Sequence, residues 1–318
     1  MPGTLAHGAH GHGAGHDHAH GIIDPSVAAT AIGLRAVTWS FLVLLATALL
    51  QAAVVILSGS VALLADTIHN FGDAATAIPL AVAFLFARRP ISRRFTFGFG
   101  RVEDLAGLAV VLTIVTSAGV AAYEAIDRFL HPRPVSHLMA IVAAAIIGFA
   151  GNEAVAVFRI RVGKRIGSAA LIADGYHART DGWASLAVLL GAVGVYLGHP
   201  LADPIIGLVI TVVILGVAWK SLRLILLRLL DGVEPNVIDQ IRESARTVDG
   251  VAGVGEVRAR WLGHRLRAEL DILVRPELTV NAADRIAEAV EHRLEHHIEF
   301  LSSAIVHVDP APDLVNTE

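Results

Sequence analysis

The chain has 318 residues, 54% hydrophobic and 17% charged, with a mean hydropathy of +0.62 and a net charge of −4. Soluble domains carry nearer a quarter charged residues, so the composition points to a polytopic membrane protein with a modest soluble part. The mild charge argues against a nucleic-acid partner, and the lack of cysteine excludes disulfides and thiolate metal sites, leaving His, Asp and Glu as metal donors.

Residues 1–30 are mostly Gly, Ala and His and read as a disordered tail with no cleavable signal. His7, His10, His12, His16, His18 and His20 interleave there with small residues. Such a tract binds metal weakly through several imidazoles, which makes it a flexible collector of metal; the alternative is a drifted tail or a sequence kept for pH response.

Six apolar runs follow, each about the ~20 residues that cross ~30 Å of hydrocarbon as a helix. They are Leu34–Leu57, Val61–Ala87, Val102–Tyr123, His137–Arg159, Ser168–Leu197 and Leu201–Leu226, within a membrane domain of residues 31–230. Arg88, Arg89, Arg93, Arg94 and Arg101 follow the second run; Arg159, Arg161, Lys164 and Arg165 follow the fourth; Lys220, Arg223 and Arg228 leave the sixth. The opposite loops hold only Arg128 and Arg133. Basic loops stay in the cytoplasm, which places both termini there.

From Asp231 the composition becomes that of a soluble α+β domain, residues 231–312, with 313–318 as a short tail. Val237–Thr247 has helical spacing, Val254–Trp261 and Leu266–Val274 alternate like strands around the turn Leu262-Gly263-His264-Arg265, Asn281–His297 is an amphipathic helix with Asn281 as its cap, and Ala304–Val308 is a last strand. The order αββαβ predicts a small ferredoxin-like sheet with helices on one face.

Ionisable groups inside a span are costly and mark function. The second span holds Asp66, His69 and Asp73, the fifth Asp174, His177 and Asp181. His69 with Asp73, and His177 with Asp181, are four apart and share a helix face. Two antiparallel helices then present an N2O2 set near the membrane midplane, a natural tetrahedral zinc shell where carriers place their substrate. No Lys or Arg is expected beside them. Asp66 and Asp174, one turn earlier, read as hydrogen-bond partners of the ligands, proton carriers or structural caps. His292-Arg293-Leu294-Glu295-His296 matches an inverted zinc-peptidase pattern on a charged helix and reads as a solvated face. A membrane metal sensor is the first rival reading and an intramembrane metalloenzyme the second; four protein ligands leave no open position for catalysis, so no enzyme is expected.

These strings resemble the cation diffusion facilitator family. The resemblance rests on Leu63-Leu64-Ala65-Asp66-Thr67-Ile68-His69-Asn70-Phe71-Gly72-Asp73 and Ala173-Asp174-Gly175-Tyr176-His177-Ala178-Arg179-Thr180-Asp181. Gly98-Phe99-Gly100-Arg101-Val102-Glu103, Leu230-Asp231-Gly232 and Val306-His307-Val308-Asp309-Pro310 support it. It implies a metal/proton antiporter of the bacterial inner membrane that works as a homodimer, with His69, Asp73, His177 and Asp181 as transport site, zinc as cargo and protons as counter-ion; iron, cobalt and manganese are the other candidate metals. Arg101 and Asp231 match a charge interlock at the cytoplasmic membrane face. Phe95 and Phe99 stand where some relatives bind metal through histidines in the loop after the second span, so no site is expected there. In the soluble domain, Asp271, Asp284, His307 and Asp309 fall where some relatives hold a zinc pair with several histidines, a poorer shell.

Overall fold

The computed structural model describes residues 25–58, 67, 70–71, 73–131, 138–199 and 201–311. The membrane part is built from α1 (Pro25–Ser58), α2 (Ala77–Ala87), α3 (Arg101–Leu130), α4 (Leu138–Ile166), α5 (Ala169–Tyr196) and α6 (Ala202–Leu229). By length and composition α1, α3, α4 and α6 can each cross a bilayer. The apolar run ending in α2 is described from Asp73 and breaks at Thr76, while α5 is as long as its neighbours but carries Asp174, His177, Arg179 and Asp181. The outward faces are apolar, with Ile56, Leu112, Leu190 and Val212 all exposed, as a lipid-facing surface requires. The chain is a polytopic helical membrane protein with a C-terminal α+β domain.

Small residues let the helices approach. A methyl on Gly175 of α5 would sit 2.7 Å from the Ile160 side chain of α4, so this crossing depends on glycine. Several boundaries differ from the sequence expectation. The first helix begins at Pro25, so Pro25–Thr30 are not tail: Pro fits the first helical position and Val27-Ala28-Ala29 propagates the helix. The basic stretch Arg161–Arg165, expected as a break, is the last turn of α4; Arg and Lys are good helix formers, and the stop is Gly167 with φ +72°. α3 likewise continues past Tyr123 to Leu130.

The soluble domain follows as α7 (Pro235–Arg246), β1 (Gly253–Leu262), β2 (Arg265–Val274), α8 (Val280–His297) and β3 (Leu301–Pro310), the expected αββαβ order. The sheet order is β1-β2-β3, with β1 antiparallel and β3 parallel to β2. Ile241, Trp261, Leu266, Leu270, Ile272, Val290 and Leu294 form the core between helices and sheet. Each contributes about 1.5–3 kcal/mol by burial. The cap of α8 is Thr279, whose Oγ1 accepts from the Ala282 N–H at 3.3 Å, and not Asn281, which lies inside the helix. The face of the sheet away from the helices carries Arg258, Arg267, Asp271, Ile305, His307 and Asp309.

Candidate metal site in the membrane

The α5 sequence places Asp174, His177, Thr180, Asp181 and Ser185 on one buried stripe at helical spacing. Ser168 starts the helix, its Oγ accepting from the Leu171 N–H at 3.1 Å. His177 is the centre of the cluster. Its Nδ1 lies 3.3 Å from Asp181 Oδ2 on the next turn, and its Nε2 lies 3.5 Å from Asp73 Oδ1 across the interface. All three residues are buried, and their ligand atoms lie within 4.8 Å of one another. With Zn–ligand bonds of about 2.0–2.1 Å, tetrahedral donors stand about 3.3 Å apart, so these spacings suit one small dication.

Neither ring nitrogen of His177 makes a hydrogen bond among the described residues, although each faces a carboxylate. A neutral imidazole has a single lone pair. A metal therefore takes one nitrogen and leaves the other as a donor that orients the ring.

The turn at Thr76, where α2 starts, has local causes. The Asp73 carbonyl accepts from both the N–H and the Oγ1 of Thr76, at 3.1 and 2.7 Å, which closes a turn and starts α2 anew. Around it, Asn70 donates to Gln51 Oε1 at 2.6 Å and Gln51 donates to the Ala144 carbonyl at 3.2 Å, tying this segment to α1 and α4.

Asp174 is not part of the cluster's charge. Its Oδ2 is ion-paired with Arg159 of α4, both side chains being essentially inaccessible, and its Oδ1 accepts from Thr76 Oγ1 at 3.1 Å. This corrects the expectation that no Arg or Lys lies nearby: Arg159 is no loop charge but a buried partner of the fifth span. Its proximity to the basic run Arg161–Arg165 concealed it in the sequence. Arg179 is likewise paired with Glu153 of α4, bidentately, at 2.7 and 3.1 Å. With Asp174 paired to Arg159, Asp73 and Asp181 are the carboxylates of the cluster available to a dication.

His69 and Asp66 lie outside the described residues, as do His7, His10, His12, His16, His18 and His20. Arg101 and Asp231 are in contact as an ion pair, and Arg101 also donates to the carbonyls of Arg228 and Leu229 at 3.3 and 3.0 Å. Phe95 and Phe99 pack against each other with tilted rings, their centroids 4.6 Å apart. In the soluble domain His307 Nδ1 lies 3.8 Å from Asp271 and 3.4 Å from Asp309, on adjacent strands, beside an open 370 Å³ cavity. Asp284 is apart from them, exposed on α8. His292 stacks on His296 on the exposed face of that helix.

The family model described as the cation efflux transmembrane domain matches residues 37–230, and that of the cation efflux protein cytoplasmic domain matches residues 233–311. A probable cation efflux system protein of Mycobacterium tuberculosis is 53% identical over 91% of this chain and 87% of its own length. Metal tolerance protein 2 of Oryza sativa is 29% identical over 79% of this chain and 72% of its own length. Among solved structures, a nickel form of the MamM C-terminal domain is 36% identical, with a TM-score of 0.24, covering 24% of this chain and 99% of that one.

Proposed function

We propose that this chain, which belongs to the cation diffusion facilitator family of cation efflux transporters, exports zinc from the cytoplasm in exchange for protons. One observation carries the proposal: a buried Asp73–His177–Asp181 cluster at the seam of two helices, with donor spacings suited to a tetrahedral ion. His69 supplies the fourth donor in this reading. Two imidazoles and two carboxylates favour zinc over the harder cations that take all-oxygen shells.

Coupling follows from the donor chemistry. Zinc binds neutral imidazole and ionised carboxylate, so loading the site displaces protons. On the outer side the same groups take protons back when metal leaves, and an inward proton gradient drives the cycle. Asp174 takes no part in this exchange, since Arg159 holds its charge. The protein works as a homodimer in a bacterial plasma membrane, its soluble domains meeting through the uncovered sheet face that carries Asp271, His307 and Asp309.

The test is metal flux into proteoliposomes with zinc, iron, cobalt and manganese under an imposed pH gradient. Zinc flux should rise with the gradient. Replacing a metal-orienting neighbour typically costs about 10–100-fold, so loss of a ligand in Asp181→Ala should lower flux by at least about 100-fold. His69→Asp should alter the preference among the four metals. Undiminished zinc uptake by Asp181→Ala refutes the site assignment.

A further inference from the structure

The turn between β1 and β2 is set into the end of the membrane helices. Its tip residue, His264, is only 3% exposed, although turn residues normally face solvent. His264 Nδ1 lies 2.7 Å from Glu103 Oε2 on α3, and Nε2 lies 3.3 Å from Thr30 Oγ1 on α1. The ring faces Phe84 of α2, with centroids 6.2 Å apart. Gly263 donates its N–H to Asp104 Oδ2 at 3.4 Å, and its carbonyl accepts from Arg228 of α6 at 3.2 Å. Arg228 in turn donates to the Gly167 carbonyl at 2.7 Å and lies over the Trp261 ring at 4.0 Å. A single turn thus touches α1, α2, α3 and α6.

The fit is made by backbone as well as side chains. A methyl on Gly263 would stand 2.6 Å from the Gly100 carbonyl, and one on Gly100 would stand 2.5 Å from the Leu262 carbonyl. Gly263 also has φ +63°, so glycine serves here both for conformation and for clearance. Glu103 and Asp104 are nearly inaccessible and occupy the first turn of α3, where the helix dipole favours acids. A buried imidazole held at both nitrogens, beside two buried carboxylates and a buried guanidinium, is a costly arrangement that the soluble domain's own fold does not require.

We propose that the β1–β2 turn is a bolt, with His264 as its positioning residue. Seated, it ties α1 and α2 to α3 and α6 and holds the soluble-domain end of the bundle closed. Withdrawn, it lets those helix ends separate so that the Asp73–His177–Asp181 cluster opens toward that side. The inference rests on the carrier reading above. The segment from Asp73 through α2 leads from the cluster to Phe84, which His264 faces, about 16 Å at helical rise. β2 starts at Arg265 and reaches Asp271 about 20 Å further on, so one strand links the bolt to the exposed carboxylate–imidazole pair on the sheet.

The chain contains no cysteine, so a Thr30→Cys/His264→Cys variant places a single thiol pair across the seat of the bolt. Reduced, this protein should carry zinc in proteoliposomes. Oxidised, with loss of free thiol confirming closure, its flux should fall at least tenfold and recover on adding dithiothreitol. Full flux with the crosslink closed overturns the bolt. Where the reduced pair does not transport, Thr30→Cys alone is labelled with a maleimide. Withdrawal uncovers the buried position, so labelling should quicken at least threefold when zinc is added, and equal rates with and without zinc overturn the proposal. Wild-type vesicles that move no metal refute the carrier reading itself, and the labelling result still reports separately whether the turn moves.

Discussion

Arg159 of α4 and Asp174 of α5 form an ion pair in which the two side chains are 1% and 0% exposed. Together with the hydrogen bond from Thr76 to Asp174, the pair joins α4, α5 and the start of α2 one turn from the metal cluster. Removing one member of such a pair leaves an uncompensated buried charge and costs about 3–5 kcal/mol, whereas replacing both with apolar groups is often neutral. Arg159→Ala should therefore lower the melting temperature in detergent markedly, and Arg159→Met/Asp174→Leu should recover most of the loss. Equal melting of parent and Arg159→Ala would show that the pair is not a structural tie.

The soluble-domain cluster gives a second expectation. Asp271, His307 and Asp309 project from adjacent strands on the face of the sheet that no helix covers among the described residues, and His307 is largely exposed. Three donors from one chain make an incomplete shell for a tetrahedral ion, and in the homodimer proposed above a second copy facing this sheet would supply the missing ones. Zinc should tighten the dimer, raising the crosslinked fraction and the sedimentation coefficient of the wild type but not of Asp271→Asn/His307→Ala. Identical hydrodynamics with and without zinc in the wild type would count against it.

Much of this was legible from residue types and spacing. The His177–Asp181 pair at i, i+4 announced α5, and period-two alternation announced β1 and β2 on either side of Gly263. Three features were not legible, each because it depends on a long-range partner. Arg159 reads as the first of a run of loop charges until α5 is packed against α4. His264 is a hairpin-turn residue without an assigned role until the turn meets Glu103 and Thr30. Pro25–Thr30 read as tail because they precede the first long apolar run and follow a Gly/Ala/His segment, and only Pro25 marks where the helix begins. Helix ends within the basic stretches were misread for a related reason: Arg and Lys break a hydropathy profile without breaking a helix.

The histidine tract, outside the described residues, is tested by deletion. Six imidazoles on a flexible segment raise the local metal concentration without changing the translocation step. Removing residues 1–21 should shift the zinc concentration for half-maximal flux upward and leave the maximal rate unaltered. A superimposable titration curve would show the tract to be dispensable for capture.

Glu291 on α8 offers a pH-dependent expectation outside the membrane. Burial raises its carboxyl above the ordinary carboxylate value, and the neighbouring Glu295, Glu288 and Asp284 push in the same direction, while a hydrogen bond from the Val306 N–H opposes them. An acid whose value is higher when folded favours folding while protonated, and that contribution is lost as pH rises through its folded value. At about pH 7 the ionised Glu291 is thus a liability, and Glu291→Gln removes it. The variant should melt higher than the parent at about pH 7, with the difference shrinking toward about pH 4, where the parent's carboxyl is also largely neutral. Thermal melts of the full-length protein across that range read the sign directly; a lower melting temperature for the glutamine variant at neutral pH would mean that Glu291 is stabilised in its charged form.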